Sequence, residues 1–379
     1  MSPSGPLHGL RIVELASLGP GPFAAMLLAD LGADVIRIDR RGGGASPLGD
    51  GAWNFMNRGR RSAAVDLKHP DGRELILALC ERGDALIEGF RPGVMERLGL
   101  GPEPALARNP RLVYGRMTGY GQAGPMASVA GHDINYISVA GVLGAFRRQG
   151  ERPLFPLNLV GDYGGGGMLL ALGVVCALLE ARTSGRGQVV DAAMVDGAAV
   201  LSTLFHALRS EGRWDDEPGT NLLDSGAHFY EVYETADGGH VAVGALEPQF
   251  YSELLRLLEL DPADFPQWDR ARWPELKARF AEVFAARTRA EWAALLEPAD
   301  ACATAVLALH EAPDHPHNVA RSTFVELDGR VQPAPAPRFS RTPAAISRPA
   351  SDPGADTDAA LADGGIGDLA RLRRDGAIG

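Results

Sequence analysis

Cysteine is scarce in this chain of 379 residues. Cys80, Cys176 and Cys302 are widely spaced and lie among apolar neighbours, which is typical of reduced core cysteines and argues against a disulfide framework or a cysteine metal cluster. No run of about 18 uninterrupted apolar residues occurs, so a membrane span is not expected. The first nine residues lack the basic and apolar regions of a secretory signal, which predicts a cytoplasmic protein.

Positive charge is also in short supply. The chain has 37 Lys and Arg against 48 Asp and Glu, for a formal net charge of −11. Nucleic-acid binding needs a basic face that neutralises phosphates, so we expect no nucleic-acid partner. A single anionic ligand is still permitted, because residues 57–61 are locally basic and Arg37 and Arg91 lie in other loops that can converge on them. The alternative is that these arginines are scattered over the surface.

The glycine fingerprint of dinucleotide-binding proteins is missing. The turn at residues 19–22, Gly-Pro-Gly-Pro, lacks the Gly-x-Gly-x-x-Gly spacing and places prolines where backbone N–H groups would bind phosphate. We therefore expect no nicotinamide cofactor. Residues 315–317, His-Pro-His, carry two side chains of a type that binds metals, but the central proline breaks the helical spacing that ligands prefer, so we expect no metal site.

What is present is a regular alternation of strand and helix patterns in a chain with 45% hydrophobic and 22% charged residues, the mixture of a globular protein. Apolar extended segments and helical segments opened by proline or closed by glycine follow one another. The predicted strands are 10–15, 33–38, 84–87, 112–117 and 189–191, and the predicted helices include 20–31, a helix from 70 to 83, 168–180 and one around 198–208. This alternation predicts an α/β fold with a large, Rossmann-like, mostly parallel sheet, where ligands lie beyond the carboxyl ends of the strands.

The pattern changes after residue 224. A turn at 237–239, Asp-Gly-Gly, separates two apolar extended segments and predicts a β-hairpin. We therefore divide the chain into a large domain over 1–224, a smaller mixed α+β domain over 225–325, and a strap over 326–379. The strap contains a proline-rich stretch and is predicted to return to the large domain.

Three motifs stand in order along the chain. Residues 131–136 read Gly-His-Asp-Ile-Asn-Tyr, residues 156–166 read Pro-Leu-Asn-Leu-Val-Gly-Asp-Tyr-Gly-Gly-Gly, and residues 244–251 read Gly-Ala-Leu-Glu-Pro-Gln-Phe-Tyr. With residues 332–339, they resemble the α-methylacyl-CoA racemases of the family III CoA-transferase (CaiB/BaiF) superfamily over nearly the whole chain. The resemblance implies an isomerase of fatty acyl-CoA metabolism that interconverts (R)- and (S)-2-methylacyl-CoA thioesters. Acyl-CoA would be its substrate, with no separate cofactor.

The resemblance also implies a set of site residues. His132 and Asp162 would be the catalytic pair, with Glu247 beside the histidine. The residues implied to bind CoA are Arg37, Met56, Asn57, Arg58, Gly59, Arg91, Gly131, Asp133, Ile134, Asn135 and Tyr136. An interlocked homodimer is implied as well, in which CoA lies on the large domain and the small domain of the partner closes the site. The sequence departs from the family pattern at Ala305, where a proline is common, which affects the expected shape of that loop.

The chemistry fits these residue types. Inverting a carbon acid needs a base on one face and an acid on the other, each within hydrogen-bond reach of the same carbon. At ordinary pKa values of about 6.5 and 3.9, His132 and Asp162 would both be mainly deprotonated at neutral pH, so the pair must retain one proton. We expect Glu247 to favour the imidazolium form of His132. A helix start at Asp162 would favour its ionised form, so burial must help when it donates a proton. Backbone N–H groups of residues 164–167 are expected to stabilise the enolate oxygen.

Two other functions compete with this one. In a CoA-transferase of the same superfamily, Asp162 would attack the thioester and carry the acyl group as an anhydride, which leaves His132 without an obvious task. A non-catalytic CoA-binding or scaffold protein is the second alternative, and it would not need all three of His132, Asp162 and Glu247. Taken singly, each of these residues could be structural, for example as a helix N-cap.

Overall fold

A computed structural model describes residues 5–43 and 54–379. Within them, six parallel strands form one sheet in the order β3-β2-β1-β4-β5-β6. The strands are β1 (Arg11–Leu15), β2 (Asp34–Arg40), β3 (Arg61–Val65), β4 (Ala85–Glu88), β5 (Val113–Thr118) and β6 (Val189–Ala193). This is the strand order of the doubly wound Rossmann fold, so the predicted α/β class is confirmed. The sequence analysis did not predict β3, whose first residue belongs to the basic segment.

The helices begin and end largely where the local sequence signals place them. Proline occupies the first turn of several, where its missing N–H costs no hydrogen bond. In chain order the helices are α1 (Pro20–Asp30), α2 (Pro70–Arg82), α3 (Val94–Arg97), α4 (Pro102–Arg108), α5 (Asp133–Val139), α6 (Val142–Ala145), α7 (Leu169–Ser184), α8 (Met194–Leu201), α9 (Thr203–Ser210), α10 (Pro248–Leu257), α11 (Trp273–Phe284), α12 (Arg289–Leu296), α13 (Pro316–Arg321), α14 (Thr357–Asp363) and α15 (Leu369–Arg374). Helix α7 starts one residue later than predicted, and the predicted helix around 198–208 is two helices, α8 and α9.

Backbone contacts divide the chain into two compact units. Unit 1 contains residues 1–140, 156–201 and 319–379, and unit 2 contains residues 141–155 and 202–318. The boundaries inferred from sequence, at residues 224 and 325, differ from these positions, and the domain assignment stays a prediction. In unit 1, the chain after residue 319 lies against β3, where Thr357 Oγ1 accepts the N–H of Ala64 at 3.0 Å and Ile378 bridges Val65.

Both faces of the parallel sheet are buried in unit 1. Alternate residues of β1 point to opposite faces, so Val13 packs in one apolar core and Ile12 in the other. The first core includes residues of α2, α14 and α15, and the second includes residues of α1 and α7. The ends of the strands are thereby held rigidly, which fixes the loops that follow them.

A ten-residue π-helical segment, Leu159–Met168, leads directly into α7. Together they form a helix of 26 residues that is long and apolar enough to cross a membrane by length and composition alone. Leu170, Val174 and Leu178 instead belong to the core of unit 1, beside the buried strand β5. We therefore interpret the segment as a core helix.

Unit 2 contains an antiparallel sheet of β7 (Tyr230–Glu234), β8 (His240–Gly244) and β9 (Ala303–Ala305). The hairpin predicted around residues 237–239 is confirmed as the β7–β8 pair. Helices α10, α11 and α12 contribute to its aromatic core, in which Trp273, Phe280 and Trp292 are buried. A second antiparallel pair, β10 (Phe324–Leu327) and β11 (Arg330–Pro333), belongs to unit 1.

Candidate active site

The strand order of unit 1 changes direction where β1 and β4 lie side by side. The connections from these two strands run in opposite directions across the sheet, and ligands of doubly wound folds bind at such a point. The loops after the two strands pack closely there. A Cβ added to Gly89 would lie 2.8 Å from Ser17 Oγ, so a larger residue there would require the Ser17 side chain to move.

Asp162 lies beside the loop that follows β1. It is in the first turn of the π-helical segment, as the sequence predicted for a helix start. Its N–H donates to Asp133 Oδ1 at 2.8 Å, and its Oδ2 accepts from Asn158 Nδ2 at 3.0 Å. A Cβ added to Gly19 would lie 3.0 Å from Asp162 Oδ2. One carboxylate oxygen of Asp162 is therefore held by Asn158 and faces Gly19, while its backbone N–H is held by Asp133.

The surroundings of Asp162 raise the pKa of its carboxyl above the usual value. Burial is the main cause, and the nearby negative charge of Asp133 adds to it. The hydrogen bond from Asn158 and the charge of His132 act in the opposite direction but are smaller than the effect of burial. The helix start was expected to favour ionised Asp162. Burial instead shifts the carboxyl toward its protonated form.

His132 precedes α5 and is exposed. Its backbone is fixed on both sides. The N–H of His132 donates to Asn135 Oδ1 at 3.0 Å, and its carbonyl accepts from the N–H groups of Asn135 at 2.8 Å and Tyr136 at 3.2 Å. The next residue, Asp133, bonds to the N–H of Asp162. This hydrogen bond links the segment that contains His132 to the segment that contains Asp162, the two predicted catalytic residues.

The glycine run that follows Asp162 packs against neighbouring helices. Gly165, Gly166 and Gly167 are buried. A Cβ on Gly165 would lie 2.7 Å from the backbone nitrogen of Ala198 in α8, and one on Gly167 would lie 2.7 Å from the Phe23 ring in α1. These glycines let the π-helical segment approach both helices closely. Stabilisation of an enolate by their N–H groups stays a prediction.

Two of the arginines expected to bind CoA are buried and already paired. Arg37 donates to both oxygens of Asp39, at 2.7 and 2.9 Å. Arg58 is 4% exposed and donates to both oxygens of Asp30, at 2.6 and 3.2 Å, to Gln332 Oε1 at 3.0 Å and to the Pro333 carbonyl at 2.7 Å. Arg58 therefore ties its loop to the segment after residue 319.

The remaining expected CoA-binding residues differ in exposure. Asn57 is buried and its side-chain oxygen accepts from Arg60 Nη2 at 2.8 Å, while the N–H of Gly59 donates to the Arg348 carbonyl at 3.0 Å.

The other expected CoA-binding residues range from buried to exposed. Asp133 and Tyr136 are buried, Met56 and Gly131 are partly buried, and the exposed members are Arg91, Ile134 and Asn135. Arg91 follows β4, at the carboxyl edge of the sheet. Whether these residues contact CoA stays a prediction.

Some residues of the site were not anticipated. Asn158 stands four residues before Asp162 in the same motif, a helical spacing that could have identified it as a partner. Glu14 in β1 and Arg60 form a fully buried ion pair, and Arg60 also donates to the Met56 carbonyl. A charged residue in the middle of an apolar strand was the available signal for Glu14.

Glu247 belongs to unit 2. It is exposed and stands immediately before α10, whose first residue is Pro248. Its expected position beside His132 stays a prediction. Among the described residues, no group of three or more His, Cys, Asp or Glu side chains is arranged to hold a metal ion.

Comparison with known proteins places these residues in a family context. The family described as CoA-transferase family III matches residues 7–357. The chain is 50% identical to Alpha-methylacyl-CoA racemase of Mus musculus over 90% of this chain and 88% of the relative. It is 47% identical to the Homo sapiens racemase over 89% of this chain and 87% of the relative. The crystal structure of Rv3272 from M. tuberculosis superposes with a TM-score of 0.78 at 28% identity, covering 94% of this chain and 99% of the other.

Proposed function

The chain belongs to CoA-transferase family III, and from this premise we propose that it is an enzyme that interconverts (R)- and (S)-2-methylacyl-CoA thioesters. The observation that carries the proposal is the half-buried carboxyl of Asp162, whose pKa burial raises and whose segment is bonded to the one that bears His132. Half of the residues are shared with the mouse racemase along nine-tenths of the chain, which favours this activity within the family.

The reaction is a proton transfer through an enolate. On one enantiomer, neutral His132 removes the α-proton and protonated Asp162 delivers a proton to the opposite face, which inverts the carbon. The reverse direction starts with ionised Asp162 and the imidazolium form of His132. The raised pKa of Asp162 favours retention of one proton by this pair. Only protein side chains take part, so no cofactor is proposed beyond the CoA moiety of the substrate.

Glu247 is proposed to act on His132 rather than on the substrate. A carboxylate next to the imidazole stabilises its positive charge, which keeps the acid form available when Asp162 is the base. Its exposed position before α10 leaves the carboxylate accessible to a facing histidine.

A CoA-transferase mechanism is less consistent with the site. Asp162 would attack the thioester carbon as a carboxylate, and such a nucleophile needs no opposed acid. His132 would then have no function. Identity to the two racemases supports the same choice.

We further propose that the enzyme acts as a homodimer. In unit 1, large apolar side chains of α7 and α8 are exposed, among them Leu172, Leu179 and Val200. Exposed apolar clusters on a soluble chain mark association surfaces. Sedimentation across a concentration series should give a dimer, and activity should fall on dilution to the monomer. A fully active monomer would contradict the proposal.

The activity is tested by following one enantiomer of a 2-methylacyl-CoA by NMR in D2O, with formate or succinate added to a parallel sample as CoA acceptors. We expect loss of the α-proton signal, formation of the other enantiomer, and no effect of the acceptors. Transfer of CoA to the added acid without α-proton exchange would contradict the racemase and make Asp162 a nucleophile.

A further inference from the structure

The hydroxyl of Tyr136 holds the peptide group that precedes His132. Tyr136 lies one turn into α5, four residues after His132, and its side-chain oxygen donates a hydrogen bond to the carbonyl of Gly131. The residue is 8% exposed. The bond is therefore partly shielded from solvent, and shielding makes it stronger than a bond between fully exposed groups.

The ring of Tyr136 fills its site completely. A Cβ added to Gly119 would overlap the ring, and one added to Gly131 would lie 2.7 Å from it. The ring of Tyr120 packs edge-on against that of Tyr136, with centroids 4.8 Å apart and an interplanar angle of 84°. The aromatic ring cannot shift toward either glycine, so the hydroxyl has a fixed position.

Three backbone groups around His132 are restrained by hydrogen bonds. Asn135 accepts the N–H of His132, α5 binds its carbonyl, and Tyr136 binds the carbonyl of Gly131. His132 is exposed, so the direction of its imidazole depends strongly on the backbone that carries it.

From these contacts we propose that Tyr136 is a positioning residue, whose hydroxyl fixes the Gly131–His132 peptide and so aims the imidazole at the α-carbon of the substrate. The inference rests on the proposed function. A displacement of about 1 Å can cost 10²-fold in rate, so the loss of one restraint should be visible in turnover.

The hydroxyl is suited to a holding role. Burial raises the pKa of Tyr136 to about 12, so it remains a neutral donor near neutral pH. Its single proton is directed to the Gly131 carbonyl. The bond acts on the backbone of His132, and the contact of Tyr136 with CoA that the resemblance implies stays a separate prediction.

The test is Tyr136→Phe, with Tyr114→Phe as the matched control. Tyr114 is also buried in unit 1, and its hydroxyl donates to the Leu100 carbonyl at 2.8 Å. Each substitution removes one oxygen and one hydrogen bond to a carbonyl. We expect Tyr136→Phe to lower kcat for α-proton exchange about tenfold with KM nearly unchanged, and the control to leave both constants unchanged.

A second readout does not depend on the reaction. Hydrogen–deuterium exchange followed by mass spectrometry should show faster exchange in the peptide covering residues 131–136 of Tyr136→Phe and no change there in Tyr114→Phe. The inference would be overturned if Tyr136→Phe showed unchanged amide hydrogen–deuterium exchange over residues 131–136. An unchanged kcat, or an increase in KM alone, would overturn it as well. If the wild-type protein showed no α-proton exchange, the proposed function would fail, while the deuterium measurement would still decide whether Tyr136 restrains the loop.

Discussion

Replacing Asp162 by asparagine should separate catalysis from stability. The substitution keeps the side chain's shape and an oxygen that can accept from Asn158, but it removes the group that exchanges a proton. Positioned acid–base groups contribute roughly 10²–10⁴-fold to rate, so we expect racemisation to fall by about that factor.

The same substitution should stabilise the folded protein at neutral pH. Burial raises the pKa of Asp162. Folding therefore destabilises the ionised carboxyl at any pH above the pKa of Asp162 in the unfolded chain. Asparagine avoids this penalty and also the repulsion from Asp133. The gain in stability should therefore be largest near pH 7. It should shrink as the pH falls through the raised pKa and vanish below the unfolded value of about 3.9.

The assay is thermal unfolding at several pH values beside turnover measured by NMR. A suitable control is Glu103→Gln, which neutralises an exposed carboxyl in the first turn of α4. The control should leave turnover and melting temperature almost unchanged. The reasoning would be refuted if Asp162→Asn racemised within twofold of the wild-type rate, or if it melted at a lower temperature than the wild type at pH 7.

Three further substitutions test separate parts of the site. Glu247→Gln should move the alkaline limb of the pH–rate profile to lower pH, because the imidazolium loses a stabilising charge; an unmoved limb would refute its role. Arg58→Met should lower the free energy of unfolding, measured with urea, by about 3–5 kcal/mol, since it leaves Asp30 buried without its partner. A decrease below about 1 kcal/mol would show that the ion pair is not effectively buried. Gly19→Ala should lower kcat about tenfold, because the new methyl group would lie 3.0 Å from Asp162 Oδ2 and the backbone φ of residue 19 is +69°. Unchanged steady-state kinetics would contradict this prediction.

The parallel sheet could be predicted because its signals are local. Each strand from β1 to β5 except β3 carries an apolar run bounded by glycine, proline or a helix signal. Strand β3 starts at Arg61, inside a basic segment that suggested a ligand-binding loop. Its arginine instead pairs with Asp34 and Asp363, the second of which lies 302 residues away in the sequence. Such partners cannot be identified from local pattern.

The candidate site was predictable in its residue types and less so in its geometry. The motifs identified His132 and Asp162 without fixing the contacts around them. Burial of Arg58 depends on Gln332, 274 residues away, and no charge pattern distinguishes it from an exposed arginine. The π-helical segment was also missed, because a glycine-rich run has the same local sequence whether its hydrogen bonds close α or π turns.

The central claim is that His132 and Asp162 work on opposite faces of one carbon. The most direct measurement is α-proton exchange in D2O for each pure enantiomer with His132→Gln and with Asp162→Asn. The account predicts that each variant exchanges the α-proton of only one enantiomer, without inversion, and that the two variants act on opposite enantiomers. Inversion by either variant at near the wild-type rate, or exchange of the same enantiomer by both, would contradict it.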